Sequence, residues 1–552
     1  MPTETRKRRG NPERPPLPPR KSVWGGTRLT LLASLALCAL ALLAYSNSFT
    51  AGFALDNQVL LLGDPRIREV TRENLSQILH HTYWWPNGEA GIFRPLTTLT
   101  YLLNYAVLGH GAHPAGYHWI NYFLHAGNTL LAFVLMLRLT HAFRTSLAIA
   151  AVWAVHPVLT ESVTNIIGRA DLIAATSVLG GFLFYLKATE ASGWRRAGFL
   201  FGLTASAAAG AASKESAVVL PGVILLYEWL IGRRWARLPL AGLATLPPIA
   251  AALWWRWMVL AASPPAEFPF VDNPIAGAAF WTGRLTAIKV LARYLWVTVW
   301  PLKLSSDYSY SEIPLAKGDT GDWLAVAAMA VVCGLVARLY SRNRPAFFFA
   351  CFTFLNLLPA SNLLFPIGTI MAERLLYLPA LGIVACLVLV ASRLPVRVAR
   401  FGPIVCCVIV AAFALRTWVR NADWSNDLTM SLASVQTSPN SFKVHRLLAD
   451  ALFRADSSRN YIDRVVAEAD KSLAILSDVP DDRNLANPWN LAAAFHLAKG
   501  DATLNGDPQP QYREAARIAQ RSIAIELASR EAYQKRHKLQ TPVPPAAADA
   551  YR

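Results

Sequence analysis

The sequence predicts an all-α protein: a polytopic membrane helical bundle of about eleven spans, followed by a short α-helical tail. Three observations carry this. Of the 552 residues, 54% are hydrophobic and only 16% charged, against about 25% charged in soluble domains. Apolar runs near the length of a membrane crossing recur, separated by short basic loops. Past residue 419 the chain turns polar while keeping a helical period. The formal net charge of +18 would raise nucleic acid as a partner for a soluble chain. Here the Arg residues fall in alternate loops, the positive-inside pattern, so the partner implied is the membrane lipid and not nucleic acid. The six cysteines (Cys38, Cys333, Cys351, Cys386, Cys406, Cys407) all lie in apolar runs. They show neither metal-ligand spacing nor a disulfide framework, so no metal or cofactor is expected.

Residues 1–28 are basic and Pro-rich and read as a disordered cytoplasmic arm. The first span, 29–46, leaves the cytoplasm and remains as an anchor. Residues 47–94 follow as the first outer loop. Within it Leu75, Ile78 and Leu79 fall at helical spacing opposite Arg72, Glu73 and Gln77, an amphipathic helix lying in the interface. Tyr83, Trp84 and Trp85 are boundary aromatics. Residues 96–108 are apolar but too short to cross.

The second span, 117–137, carries His118, Asn121, His125 and Asn128 on one face. Such a stripe must face protein or a water-filled cavity. Interhelical hydrogen bonding and cavity lining are both open. Loop charge places the next spans at 145–156, 172–187, 197–212, 216–232 and 239–261. An outer segment, 262–320, comes next. Its apolar stretch 285–302 reads as re-entrant or interfacial, because counting it as a span would put the Arg338–Arg344 loop outside. The last spans are 321–338, 346–365, 375–392 and 402–419. The N-terminus is then inside and the tail, 420–552, outside. Helices are expected there at 441–455, 461–477, 486–500 and 511–534. Asn490–Ala494, Gly500 and Tyr512–Ala516 have the small-residue placement of a tetratricopeptide-like pair. Two imperfect pairs fall short of a free-standing array, so they are expected to pack on the membrane domain or on a protein partner.

Ionisable residues recur near the outer ends of the spans: Asp56, Arg94, Glu161, Arg169, Asp171, Lys214, Glu215, Asp307, Glu373 and Arg374. Charge near hydrocarbon is paired or functional. Asp56, beside an apolar cavity, would have a raised pKa suited to a general base. A helix-entry cap is the plainer reading. Arg94, Arg169, Lys214 and Arg374 could grip a lipid-linked phosphate or diphosphate. They could equally pair with Asp171, Glu215 and Glu373. His118, Asn121, His125, Glu161, Asp171, Glu215, Asp307, Tyr308 and Glu373 are the other candidate cavity residues.

An ordered series of motifs then becomes informative. It comprises Phe53-Ala54-Leu55-Asp56, Phe93-Arg94-Pro95-Leu96, Tyr117-His118-Trp119-Ile120-Asn121 with His125, and His156-Pro157-Val158-Leu159-Thr160-Glu161-Ser162-Val163 with Gly168-Arg169-Ala170-Asp171. It continues with Ser213-Lys214-Glu215, Leu304-Ser305-Ser306-Asp307-Tyr308-Ser309, Glu373-Arg374-Leu375-Leu376-Tyr377-Leu378-Pro379, and Arg420-Asn421 with Trp424. Over about residues 45–425 the series resembles the transmembrane and tetratricopeptide-repeat-containing family of O-mannosyltransferases. The resemblance implies a C-type (GT-C) glycosyltransferase fold and a polyprenyl-phosphate-linked sugar donor. It implies inverting transfer to a protein or glycan hydroxyl on the non-cytoplasmic face, without bound metal for a monophosphate donor. That family carries an acidic pair in the first outer loop. Here Asp56 matches the first acid and Asn57 stands at the second. The tail is shorter than the arrays of animal members, which suggests a bacterial relative in the inner membrane. Two other classes stay in view: an O-antigen ligase- or polymerase-like enzyme using a diphosphate-linked glycan, and a non-catalytic scaffold whose tail docks partners.

Overall fold

The computed structural model describes residues 26–88, 90–504 and 506–538; the basic arm expected at the N-terminus lies outside them except for its last residues. Among the described residues every regular element is helical. The main helices are α1 (Thr27–Tyr45), α2 (Arg72–His80), α3 (Pro95–Leu102), α4 (Ala115–Thr140), α5 (Phe143–Ala154), α6 (Thr160–Val163) and α7 (Arg169–Glu190). Then come α8 (Gly193–Ser213), α9 (Leu220–Tyr227), α10 (Leu238–Ala261), α11 (Phe280–Val299), α12 (Thr320–Arg342), α13 (Arg344–Leu357) and α14 (Tyr377–Ala391). The chain ends with α15 (Val396–Ala399), α16 (Gly402–Asp423), α17 (Asp427–Thr437), α18 (Phe442–Ala455), α19 (Ile462–Leu476), α20 (Ala486–Asp501) and α21 (Gln509–His537).

This is an all-α membrane bundle. Eight helices are long and apolar enough to cross a bilayer, or nine if α5 and the 157–163 turn form one bent span. Helices occupy all eleven segments read as spans, but α8 and α13 do not meet the length and apolarity of a crossing on their own. One large apolar core joins α4, α5, α7, α9, α11, α13 and α14. By contrast α12 and α16 turn most of their apolar surface outward, as helices solvated by lipid do.

The two ends of the bundle differ. At one end short turns carry the basic residues; Arg138 pairs with Glu190 at 2.8 Å and Arg237 donates to the Thr189 carbonyl at 3.2 Å. At the other end the long connections 46–94, 262–319 and 358–376 meet the tail. The stretch read as re-entrant or interfacial is one unbroken helix, α11, so the re-entrant alternative is corrected. Its polar side chains meet the connections of that second end. Lys289 pairs with Asp322 at 2.7 Å and Arg293 with Glu312 at 2.9 Å, while the Tyr294 hydroxyl accepts from the Ala372 N–H at 3.0 Å.

Tail helices α18 to α21 lie within a few residues of the expected bounds. The period of an amphipathic helix is set locally, so it is readable. Gly500 lets α20 and α21 approach: a Cβ there would run into the Tyr512 ring. The tail packs on the membrane domain. Val271, Phe270 and Tyr310 enter its apolar core. The Phe442 N–H donates to the Tyr310 carbonyl at 2.9 Å and the Ser311 N–H to the Asn440 carbonyl at 2.8 Å. Farther out, Arg536 forks onto Glu267 at 2.6 and 2.8 Å.

Candidate active site

The first connection is held rigidly on the C-terminal side of Asp56. Arg66, 1% exposed, grips Asp64 at 2.8 Å and donates to the Thr82 and Tyr83 carbonyls, so the loop closes on itself. On its N-terminal side Asp56 follows Leu55, which has a left-handed backbone (φ 53°). For a residue with a Cβ that conformation costs roughly 1–2 kcal/mol. It is held by the Leu55 N–H donating to Asp427 Oδ1 at 2.7 Å.

Asp56 itself is exposed to solvent, and its carboxylate makes no hydrogen bond or ion pair with the described residues. Yet its surroundings desolvate it enough to push its pKa up from the ordinary carboxylate value. Arg374, Lys443 and Arg446 oppose that rise, and Asp272 adds to it. Asn57 has another job: it is buried, and its Oδ1 accepts the Ile167 N–H at 3.1 Å.

Around Asp56 the connections contribute charge in pairs. Glu161, 1% exposed, accepts both the backbone N–H of Arg374 (2.8 Å) and its Nη1 (2.5 Å). The Arg374 guanidinium is thereby aimed while its side chain stays 36% exposed. Lys214 at the end of α8 pairs with Asp171 in the first turn of α7. Glu215 is shared by Arg94 (3.0 Å) and Arg256 (2.5 Å), and Arg256 also donates to the Gly91 carbonyl. The fields of Arg94 and Arg374 both reach Lys214, and Tyr83 lies within the fields of both Arg94 and Asp56. Asp56, Arg94, Lys214 and Arg374 therefore occupy one electrostatic neighbourhood.

Other candidates are placed elsewhere. Arg169 is fully buried: its Nε donates to Asn121 Oδ1 (2.9 Å), Nη1 to Asn104 Oδ1 (2.5 Å) and the Thr100 carbonyl (3.1 Å), and Nη2 to the Tyr117 carbonyl (3.1 Å). Its donors are turned into the protein, so it leaves the phosphate-binding set. The polar stripe of α4 is likewise not cavity lining. His118 bonds the Ala51 carbonyl (3.1 Å), and Asn121 donates to the Val163, Asn165 and Ile166 carbonyls. His125 bridges the Tyr377 hydroxyl and the Ala154 carbonyl, each at 2.8 Å. The interhelical alternative is the one observed.

Tyr308 and Glu373 form a buried support. The Tyr308 hydroxyl (2.7 Å) and the Ser305 N–H (2.6 Å) donate to Glu373 Oε1, and Arg420 approaches Oε2 at 3.8 Å. Asp307 caps its own turn through Ser309 and accepts from Ser441 at 2.6 Å. Lys443 stands between Asp307 (3.7 Å) and Asp272, with which it also pairs. Burial of Asp307 is outweighed by Lys443 and these hydrogen bonds, which hold its pKa below the ordinary value.

Sequence reasoning missed Arg256, Asp272, Asp427, Lys443 and Arg446. Arg256 carried a signal, a lone charge in an apolar helix. The others lie in the outer segment and the tail, where charge is unremarkable until folding sets it opposite Asp56.

No family profile matches the whole chain or a part of it. Individual proteins do. Human "Protein O-mannosyl-transferase TMTC4" is 28% identical over 472 residues, 75% of this chain and 63% of that protein. The chain is TMTC-like. Mouse "Protein O-mannosyl-transferase TMTC3" is 26% identical over 534 residues, covering 87% of this chain and 56% of that protein. Drosophila melanogaster "Protein O-mannosyl-transferase Tmtc1" is 27% identical over 510 residues, covering 74% and 58%. The TMTC-like chain thus spans less than two thirds of the length of these relatives.

Proposed function

We propose that the chain is a membrane glycosyltransferase. It moves a sugar from a polyprenyl-phosphate-linked donor to a hydroxyl of a protein or glycan acceptor on the non-cytoplasmic face, which in a bacterium is the periplasmic side of the inner membrane. The relatives' printed names support sugar transfer to protein and point to mannose. The observation that carries the reading is Asp56, a carboxylate without a partner among the described residues, raised in pKa and open to solvent near Arg94, Lys214 and Arg374.

In this reading Asp56 takes the proton of the acceptor hydroxyl as its oxygen attacks the sugar C1. The bond from C1 to the phosphate oxygen breaks on the opposite face, so the anomeric centre inverts. The polyprenyl phosphate leaves with an added negative charge. Arg374, whose fork is pre-aimed by Glu161, meets that charge, with Lys214 and Arg94 beside it. Because each cation already has a carboxylate partner, an incoming phosphate is matched by rearranging existing pairs, not by filling an empty basic hole.

The test is a source-organism strain lacking the chain, complemented with wild type or Asp56→Asn at equal membrane levels. Mass spectrometry of envelope proteins and glycans reads sugar transfer, and lipid extracts read the donor. Wild type is expected to restore a modification that Asp56→Asn restores at about 1% or less, within the range that a general base contributes. Full restoration by Asp56→Asn overturns the base. An accumulated diphosphate-linked oligosaccharide in the deletion strain, in place of a monophosphate-linked sugar, overturns the donor.

A further inference from the structure

We infer that Asp427, in the first turn of tail helix α17, is a positioning residue for Asp56, so that the tail is a working part of the site. The inference rests on Asp56 as general base.

Three contacts tie the first connection to the start of the tail. The Gly52 N–H donates to the Ser425 carbonyl at 2.8 Å. The Leu55 N–H donates to Asp427 Oδ1 at 2.7 Å, and Gln58 Nε2 to Asp427 Oδ2 at 3.0 Å. One carboxylate thus grips the residues on both sides of Asp56. At the first of those grips the backbone takes the left-handed turn at Leu55. A leucine does not choose that conformation unaided. It persists where surrounding contacts over-determine it, and such residues cluster at functional sites. Nothing else among the described residues accepts the Leu55 N–H.

Asp427 is itself oriented from behind. Arg454 of α18 lies 3.4 Å from Asp427 Oδ2 and 3.5 Å from Gln58 Oε1. The same helix carries Lys443 and Arg446, whose charges act on Asp56. Helices α17 and α18 therefore set both the direction of Asp56 and part of its field. The Asp56 side chain has no hydrogen bond to the described residues, so its direction is inherited from the Leu55–Asp56 backbone. Loss of the Asp427 grip lets Leu55 relax to negative φ and swings Asp56 away from an acceptor hydroxyl. A displacement of about 1 Å in a reacting group can cost on the order of 100-fold in rate.

The experiment compares Asp427→Ala, Asp427→Asn, Leu55→Gly and the double variant Leu55→Gly/Asp427→Ala. Each is expressed as the full chain in the deletion strain. Initial rates of labelled-sugar transfer are measured in isolated membranes containing their own lipid donor and acceptors, normalised to folded protein. Asp427→Ala is expected to lose roughly 10- to 100-fold in rate. Asp427→Asn, which can still accept the Leu55 N–H, is expected to keep most of it. In the double variant glycine adopts positive φ without the Cβ penalty, so part of the lost rate should return.

A merely structural role for Asp427 predicts less folded protein with an unchanged rate per folded molecule, and no recovery with Leu55→Gly. That outcome overturns the positioning role. Inactive Asp56→Asn beside fully active Asp427→Ala overturns the positioning role alone, whereas active Asp56→Asn overturns the base reading beneath it.

Discussion

Two regions of this molecule carry the same kinds of residue and put them to opposite uses. The face of α4, with Arg169 behind it, holds histidines, asparagines and a guanidinium that are nearly all satisfied by backbone carbonyls and one another. The connections above α4 hold Asp56, Arg94, Lys214 and Arg374, where one carboxylate has no partner among the described residues and the Arg374 side chain keeps about a third of its surface open. Both regions would score as polar residues in or near a membrane. Only the second keeps capacity for a ligand. Residual hydrogen-bonding capacity, not polarity, separates a scaffold from a site.

The sharpest way to break the comparison is Arg169→Met. Removing the buried guanidinium leaves the Asn104, Asn121, Thr100 and Tyr117 acceptors unsatisfied, at a cost of about 1–3 kcal/mol for each one left without a partner. The expected result is a large loss of folded protein by size-exclusion and thermal melting, with any surviving fraction retaining sugar transfer. An Arg169→Met protein that melts like wild type and has lost only transfer would move Arg169 back into the site.

Arg374→Lys should act the other way. Lysine keeps the charge and gives up the planar fork. Folding is expected to change little, while transfer falls about 10-fold, the equivalent of roughly 1.4 kcal/mol. An unchanged rate would mean that point charge is enough at this position.

The smallest expected effect is in pH. Asp56 is raised by desolvation against the opposing charges of Arg374, Lys443 and Arg446. A base must be ionised, so the rate should fall as pH drops through the folded pKa. That fall should begin at a higher pH than an unperturbed aspartate would give. The same sign makes ionised Asp56 a liability for folding: its unfolded carboxyl loses the proton first, so stability declines as pH rises through the folded value. At neutral pH, Asp56→Asn should therefore melt slightly higher than wild type, while a lower melting temperature would contradict the raised pKa.

Much of the fold was legible because helices announce themselves locally. The α18 and α19 faces repeat on the helical period, and the bounds follow within a few residues. The cores of the spans were equally plain from hydropathy. Site assignments fared differently. The spacing of His118, Asn121 and His125 gives a shared face but not what that face meets; the carbonyls of residues 163–166 and Tyr377 decided it. Arg169 and Arg374 look alike in sequence, each beside an acid. One is enclosed by α3 and α4, the other held at a rim by Glu161. The roles given to Asp427, Lys443 and Arg446 depend on chain segments nearly 400 residues apart, which no local pattern encodes. Helix α17 was missed because its short apolar face carries little periodic signal; its Asn426 capping box was its best marker.

The grip of Asp427 on Leu55 spans 372 positions of the chain. During synthesis the loop bearing Asp56 emerges hundreds of residues before its clasp exists. If Asp427 positions Asp56 as inferred, the carboxylate has no fixed aim until α17 is made and docks. Under the proposed function, a nascent or prematurely terminated chain would sit in the bilayer, correctly threaded, and still be inert, its competence arriving only with the last quarter of translation.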